Sequence, residues 1–404
     1  MGQLWKKVVE FAGKEIVLTI ALVLAVCSSF VILPDSQYVE YIDFRTLGLL
    51  FCLMAVMAGL QKIGVFTKIA RKLLGLVHSV RMLVLILMLL CFGFSMLITN
   101  DVALITFVPF TFTVLKLIGG DAVKRLAVPV VVMQTIAANL GSMLTPIGNP
   151  QNLYLYGKAG LGVGAFVALM LPYTLVSLVL LVGWCLCIKG GGQPVNIADG
   201  VLTDRGTASG VTAVDDTKDR GTGEAVSASK KSIRPALPVY LILFGVSLLT
   251  VAHIVPWGVT VLLVILVLLV LDREVLKRVD YALLMTFVGF FVFIGNMGRI
   301  PAFNTFLQNI IVGNEVLTAA LSSQVISNVP AALLLSGFTQ DYEALIIGTN
   351  LGGLGTLIAS MASLISFKYM GQEDKQQKGR YMVFFTVANL LFLAVLMGFH
   401  WYFM

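Results

Sequence analysis

The sequence predicts an all-α polytopic membrane protein, an inverted repeat whose halves each carry a re-entrant helical hairpin and a broken transmembrane helix. Three observations predict it. Of 404 residues, 58% are hydrophobic and 12% charged, and the mean hydropathy is +0.95, far above the globular norm. Residues 139–150 (NLGSMLTPIGNP) and 350–361 (NLGGLGTLIASM) agree at five of twelve positions, including Asn139/Asn350, Gly141/Gly352 and Thr145/Thr356, inside otherwise apolar sequence. A second alignment, at a constant offset of 237, pairs Asp43-Phe44 with Asp280-Tyr281, Lys62 with Arg299, Ile63 with Ile300 and Phe66 with Phe303.

The bilayer core offers no water to a freed backbone group, so an interrupted helix survives there only against protein or a wet cavity. Two such interruptions in corresponding halves point to a solute site near the midplane. The net charge of +7 comes from basic residues beside apolar spans, the pattern of cytoplasmic flanks rather than of nucleic-acid binding. The five cysteines all lie in apolar runs and make neither a disulfide framework nor a zinc spacing.

The first apolar run, residues 16–33, follows Lys6, Lys7 and Lys14. Its length favours a retained span over a signal peptide. Further spans are expected at 44–60, 126–157 (broken), 162–188, 236–254, 257–271, 281–299, 342–366 (broken) and 381–402, nine crossings in all. Residues 82–97 and 102–118 are apolar arms flanking Thr99-Asn100-Asp101, with basic residues beyond both ends. They read as a hairpin over 82–118 entering from the cytoplasm, with two thin spans as the alternative. Residues 316–338, interrupted by Ser327-Asn328-Val329-Pro330, are too short for two crossings and read as a hairpin from outside. Lys68 to Val77 reads as an amphipathic surface helix.

Residues 189–235, with Gly190-Gly191-Gly192 and many Ser and Thr, read as a flexible cytoplasmic linker between an N-terminal half (1–188) and a C-terminal half (236–404). Asp35, Glu40 and Asp43 fall on one side; Arg273, Lys277, Arg278, Lys368, Lys375, Lys378 and Arg380 fall on the other. That places the N-terminus in the cytoplasm and the C-terminus outside, in a multi-pass protein of the cytoplasmic membrane.

Asp101 is the one acidic residue between Asp43 and Asp121. Burying a carboxylate there costs at least about 2.5 kcal/mol, so function is the default reading. It can hold Na⁺, exchange a proton or cap the second arm. Asn100 and Asn328 occupy equivalent tips, and Asn139 and Asn350 equivalent breaks; an amide supplies donors and an acceptor without a full charge. Each alone could serve only to bond loose backbone. Four in matched positions point to a site in which Asn100, Asp101, Asn139, Asn328 and Asn350 are possible Na⁺ ligands. Thr99, Gly141, Thr145, Gly148, Asn149, Ser327, Gly352 and Thr356 complete the candidate set, the break over Thr145–Asn152 being the more open and polar. The second break's glycines can instead serve tight helix packing. Lys62 and Arg299 are expected to snorkel to the interface. His78, His253 and His400 are scattered and suggest no metal site.

These motifs, Thr99-Asn100-Asp101 with Asn139 to Asn152 and Ser327-Asn328-Val329-Pro330 with Asn350 to Ser360, resemble the ion transporter superfamily, which holds divalent anion/sodium symporters, citrate transporters, arsenite permeases and a group of sodium/proton antiporters. The resemblance covers nearly the whole chain. It implies an elevator-type transporter, often a homodimer, whose tips and breaks hold sodium ions and a substrate carboxylate. The third tip positions depart from the symporters' Ser-Asn-Thr: Val329 has no hydroxyl, and Asp101 adds a charge that repels a carboxylate unless neutralised by Na⁺ or H⁺.

The expectation is a secondary active transporter coupling a cation, Na⁺ first, to movement of a small anion such as a di- or tricarboxylate. The alternative is a cation/proton antiporter or arsenite-type efflux permease. A channel is a third possibility. No His/Asp, Ser/Lys or metal constellation suggests an enzyme, no phosphate loop suggests a pump, and no organic cofactor is expected.

Overall fold

The computed structural model describes residues 15–75, 77–119, 122–188 and 236–403 and is entirely helical there, without a strand. The linker expected over 189–235 and the basic flank at Lys6 to Lys14 lie outside the described residues.

In the first half, α1 (Ile16–Val31) and the short α2 (Gln37–Tyr41) lead into α3 (Phe44–Lys62). Asp43 starts α3 by accepting the Thr46 N–H at 3.0 Å. Gly64, at φ 74°, turns the chain into α4 (Val65–Leu74), which buries Phe66, Ala70 and Leu74 along one side, as an amphipathic helix does. Then come α5 (Val80–Ile98) and α6 (Asn100–Ile118), α7 (Ala122–Ser142), α8 (Pro150–Ala159) and α9 (Val163–Leu186). After the linker come α10 (Ala236–Val251), α11 (Trp257–Leu271), α12 (Arg273–Leu276), α13 (Tyr281–Gly298), α14 (Pro301–Ile311), α15 (Glu315–Ile326), α16 (Asn328–Leu335), α17 (Tyr342–Leu351), α18 (Met361–Glu373) and α19 (Lys378–Phe403). The order from α1 to α9 recurs from α11 to α19, with α10 supernumerary.

Among the described residues, seven helices have the length and composition to cross a membrane, α5 and α6 included. The expected arms of the first hairpin are thus longer than the sequence indicated: each runs 19 residues, about 28 Å. The arms of the second have 12 and 8 residues. Both expected helix breaks are present, over 143–149 and 352–360, and α18 continues to Glu373, past the expected end at 366.

Two groups of helices organise the interior. Helix α1 packs along α13, and α3 packs against α10 and α11. Helix α7, buried along nearly its whole length, is gripped by α5, α6, α18 and α19. Lys62 and Arg299, expected to snorkel, both form ion pairs. Lys62 Nζ meets Asp272 and Glu274 at 2.9 Å each, and Arg299 Nη1 meets Asp35 at 2.8 Å. Each cation closes one half onto the loop of the other.

Candidate functional site

Both hairpins turn on a single non-glycine residue with the same unusual backbone: Thr99 at φ 73°, ψ 150° and Ser327 at φ 73°, ψ 155°. A side chain at such φ costs about 1–3 kcal/mol and persists only where surrounding contacts impose it. Here each tip is bonded to a break: Asn100 N–H donates to the Gly148 carbonyl at 3.2 Å, and Asn328 N–H to the Ala359 carbonyl at 3.0 Å. The turn is therefore fixed by a backbone group that the interrupted helix set free.

The breaks are tied to the hairpin arms in parallel fashion. Thr145 Oγ1 donates to the Met96 carbonyl, three residues before Thr99, and Thr356 Oγ1 donates to the Gln324 carbonyl, three residues before Ser327, at 3.0 Å. Gly141 and Gly352 let the arms close in. A Cβ on Gly141 would strike the Phe92 carbonyl, and one on Gly352 would lie 2.8 Å from Ala320 Cα. Gly148 folds the first break back onto the Ser142 backbone, leaving no room for a Cβ. These residues shape the site without lining it.

The asparagines of the breaks knit the two halves together. Asn139 Oδ1 accepts from Asn100 Nδ2 and from Ser360 Oγ, each at 3.0 Å, while its Nδ2 donates to the Gly353 carbonyl at 3.4 Å. Asn350 Nδ2 donates to Asn152 Oδ1 at 2.6 Å, and its Oδ1 accepts from Asn149 Nδ2 at 3.4 Å. Asn139 is thus engaged by Asn100, Ser360 and Gly353, and Asn350 by Asn149, Asn152 and the Ile346 carbonyl, so both sit in the wall behind the lining.

The lining surrounds a cavity of about 10 Å³ where both tips meet both breaks. Asn100 and Asp101 come from the first tip, Asn149, Pro150 and Gln151 from the start of α8, Asn328 and Val329 from the second tip, Ser360 and Met361 from the start of α18, and Leu283 from α13. Extended N-cap residues, Asn149 and Ser360, begin α8 and α18, so both helices start at the cavity. Four buried polar atoms in this lining have no hydrogen-bond partner: Asp101 Oδ1, Asn149 Oδ1, and Gln151 Oε1 and Nε2. Orphaned buried polar atoms are uncommon and each needs an explanation. Asp101 caps nothing with that oxygen; its own N–H is bonded to Asn100 Oδ1 at 2.9 Å. Three of the four orphans are oxygens, the donor set of a hard cation such as Na⁺ or of a proton carrier. Among the described residues of the lining none is basic.

The candidate residues thus sort into three groups. Asn100, Asp101, Asn149 and Asn328 line the cavity; Thr99, Ser327, Asn139 and Asn350 hold its walls; Gly141, Thr145, Gly148, Gly352 and Thr356 pack and tie the breaks. Sequence reasoning did not single out Gln151 or Gln324. Gln324 donates from Nε2 to the Gly352 and Leu354 carbonyls at 3.0 and 2.9 Å and accepts the Thr356 N–H at 2.9 Å. Its counterpart in the first half is Met96, so the substitution of an amide for an apolar residue at matched positions was the signal that would have found it.

Comparison with known proteins follows the same lines. The model of a family described as "Citrate transporter" matches residues 4–341. The chain is similar to inner membrane protein YbiR of Escherichia coli, 31% identical over 346 residues that cover 84% of each protein. It is also similar to uncharacterized transporter MJ0456 of Methanocaldococcus jannaschii, 29% identical over 374 residues, 91% of this chain and 92% of that one. A shorter match, 32% identical over 158 residues, 39% of this chain and 31% of the relative, is to silicon efflux transporter LSI3 of rice.

Proposed function

The chain belongs to the citrate transporter family and is a multi-pass membrane transporter rather than an enzyme, and on that premise we propose that it is a secondary active transporter in which a cation, Na⁺ first, drives movement of a small anion such as a di- or tricarboxylate. One observation carries the proposal: Asp101 Oδ1, Asn149 Oδ1 and Gln151 Oε1, all buried and unpartnered, line one cavity between two tips and two breaks. A cation seated there satisfies all three and neutralises Asp101, which otherwise repels a carboxylate. The N-termini of α8 and α18 lie beside it and favour the anion.

At about 10 Å³ the cavity accommodates roughly one water-sized body, so a carboxylate substrate requires the tips to separate from the breaks. The proposal assigns that movement to an elevator in which hairpins and broken helices slide as a unit against α1, α3, α10, α11 and α13. The recurring element order, the matched dihedral angles at Thr99 and Ser327 and the opposite charge of the flanking loops support an inverted repeat with two near-equivalent conformations. The N-terminus is assigned to the cytoplasm and the C-terminus to the outside from the charge of the loops, and the assembly to a homodimer, as the resemblance implies.

A second reading, a cation/proton antiporter or efflux permease, draws on the absence of a basic side chain among the described lining residues. It also accords with the name of the rice relative. Proteoliposomes under separately imposed Na⁺ and pH gradients, offered carboxylates, oxyanions and uncharged oxyacids, separate the readings. Sodium-driven accumulation of an anion supports the symporter; solute movement that follows the pH gradient alone, or Na⁺/H⁺ exchange without solute, replaces it with the second.

A further inference from the structure

Gln151 stands in the cavity wall without a hydrogen bond at either end of its amide. It is 1% exposed, it sits in the first turn of α8, and both Oε1 and Nε2 lack a partner. Its neighbour shows what a structural amide does here: Asn152 donates to the Ser142 and Thr145 carbonyls at 3.4 and 3.3 Å and accepts from Asn350 at 2.6 Å. Nor does the start of the helix call for Gln151. Asn149 is the N-cap and Pro150 sets the first turn, while α18, which starts at the same cavity, carries Ala362 at the matched position. A buried amide bonded at neither end lowers stability, so a structural role does not account for it.

Two backbone donors accompany it. The first backbone bond of α8 runs from the Leu153 N–H to the Asn149 carbonyl at 3.2 Å, and Pro150 has no N–H, so the Gln151 and Asn152 N–H groups have no acceptor within the helix. Donors at a helix start, with the helix dipole behind them, favour an anionic oxygen. The acceptor end meets different chemistry: Gln151 Oε1 shares the cavity with Asp101 Oδ1 and Asn149 Oδ1, which are also buried and unpartnered. Turning the amide over changes nothing in this count, since one end donates and the other accepts in either orientation.

We propose that Gln151 is the residue that couples cation to anion: its Oε1 ligates the cation together with Asp101 and Asn149, and its Nε2 donates, with the Gln151 and Asn152 N–H groups, to one carboxylate group of the substrate. This rests on the reading that the cavity holds the coupling cation. A cation on Oε1 fixes and polarises the amide, which makes Nε2 a stronger donor, so each solute prepares the place of the other. The carboxylate takes that place as the tips part from the breaks. Among the described lining residues none is basic, and the cation cancels Asp101, so the neutral donors match one carboxylate per cation. The other charges of a di- or tricarboxylate lie outside this grip.

The test is Na⁺ titration of the purified protein by calorimetry, without and with acetate, succinate or citrate in excess, for the wild type, Gln151→Met, Asn149→Ser and Asp101→Asn. In the wild type at least one of these anions should tighten Na⁺ binding about fivefold or more, the lower end of ordinary coupling between sites. Gln151→Met and Asn149→Ser each remove one cation oxygen and should weaken Na⁺ binding alone by about tenfold. They should part when the anion is added: Asn149→Ser keeps the tightening to within about twofold, and Gln151→Met abolishes it. A thermal melt without solutes gives the readout that a structural role would move. Gln151→Met exchanges an unpartnered amide for an apolar chain of like length and should melt no lower than the wild type. No tightening in the wild type, tightening that survives Gln151→Met, or a lowered melting temperature in that variant overturns the inference, while Na⁺ binding that is lost in Asp101→Asn keeps the reading beneath it. Na⁺ binding that survives Asp101→Asn overturns both.

Discussion

The two tip-and-break units share a backbone and differ in chemistry. Thr99 and Ser327 turn alike, Asn100 and Asn328 bond the breaks alike, and Gly141 and Gly352 admit the arms alike. Yet where the first unit offers Asp101 and Gln151 to the cavity, the second offers Val329 at the position matching Asp101, and Ala362, which matches Gln151, is not among the described lining residues. The duplicated scaffold therefore makes one charged site rather than two. On the proposed reading the first half supplies the carboxylate for the cation and the second supplies part of the facing wall. What a duplication must keep is the geometry that satisfies the freed backbone; side chains on that geometry are open to specialise.

The largest effect that breaks this comparison is expected at its charged position. Asp101→Asn removes the one carboxylate among the described lining residues and should lower coupled cation uptake by at least about 100-fold, given the strength of a contact ion pair in a poorly solvated site. Val329→Asn, at the matched position, should change it by less than about threefold. Comparable losses from both would mean that the two units contribute equally.

Next in size is the close approach at the breaks, where the units should behave as equals. Gly141→Ala and Gly352→Ala each force a methyl into an arm, against the Phe92 carbonyl in one and Ala320 Cα in the other. Each should destabilise the protein by about 1–3 kcal/mol, read as a lower melting temperature in detergent. A tolerant Gly352 beside an intolerant Gly141 would show that only the first break is packed tightly.

Gln324 sharpens the comparison from the other side. Gln324→Ala strips partners from the Gly352 and Leu354 carbonyls and the Thr356 N–H, at a cost of about 2 kcal/mol. Met96→Ala leaves the bond between Thr145 and the Met96 carbonyl in place and should cost less, the difference appearing in paired thermal melts. The second break lacks the prolines that stiffen the first, and this glutamine takes up the backbone groups its glycines leave loose.

The smallest effect belongs to the ion pairs that close each half onto the other. The hydrogen bond from Lys62 holds the Glu274 carboxyl below its ordinary 4.5. A depressed carboxyl contributes stability that is fully present above its unfolded pKa and is lost as pH falls through the folded value. Glu274 should therefore support folding at neutral pH and lose that support as pH falls below 4.5 and through its depressed value. Melts of the wild type and Glu274→Gln between acid and neutral pH should converge at the acid end; a constant gap across the range would remove Glu274 from the pH dependence.

Much of this was legible in the sequence, for identifiable reasons. The breaks announced themselves because Asn, Gly and Pro are rare in apolar helices, and Asp101 because a carboxylate there is costly. The division of labour among those residues was not legible. Whether Asn139 faces a ligand or bonds Ser360 and Asn100 depends on contacts across 221 and 39 residues of sequence, which no local pattern carries. The arms of the first hairpin were read short because Thr99 and Asn100 break the hydropathy before they break the helix; α6 starts at Asn100 itself. The ion pairs of Lys62 and Arg299 were not legible because their partners, Asp272 and Asp35, lie in the opposite half.

The most direct measurement is Na⁺ binding to the purified protein, titrated by calorimetry with wild type, Asp101→Asn and Gln151→Ala in parallel. A cavity with one charged wall should give one saturable site per chain, absent in Asp101→Asn and weakened in Gln151→Ala. Two sites per chain, or a site that survives Asp101→Asn, would contradict it.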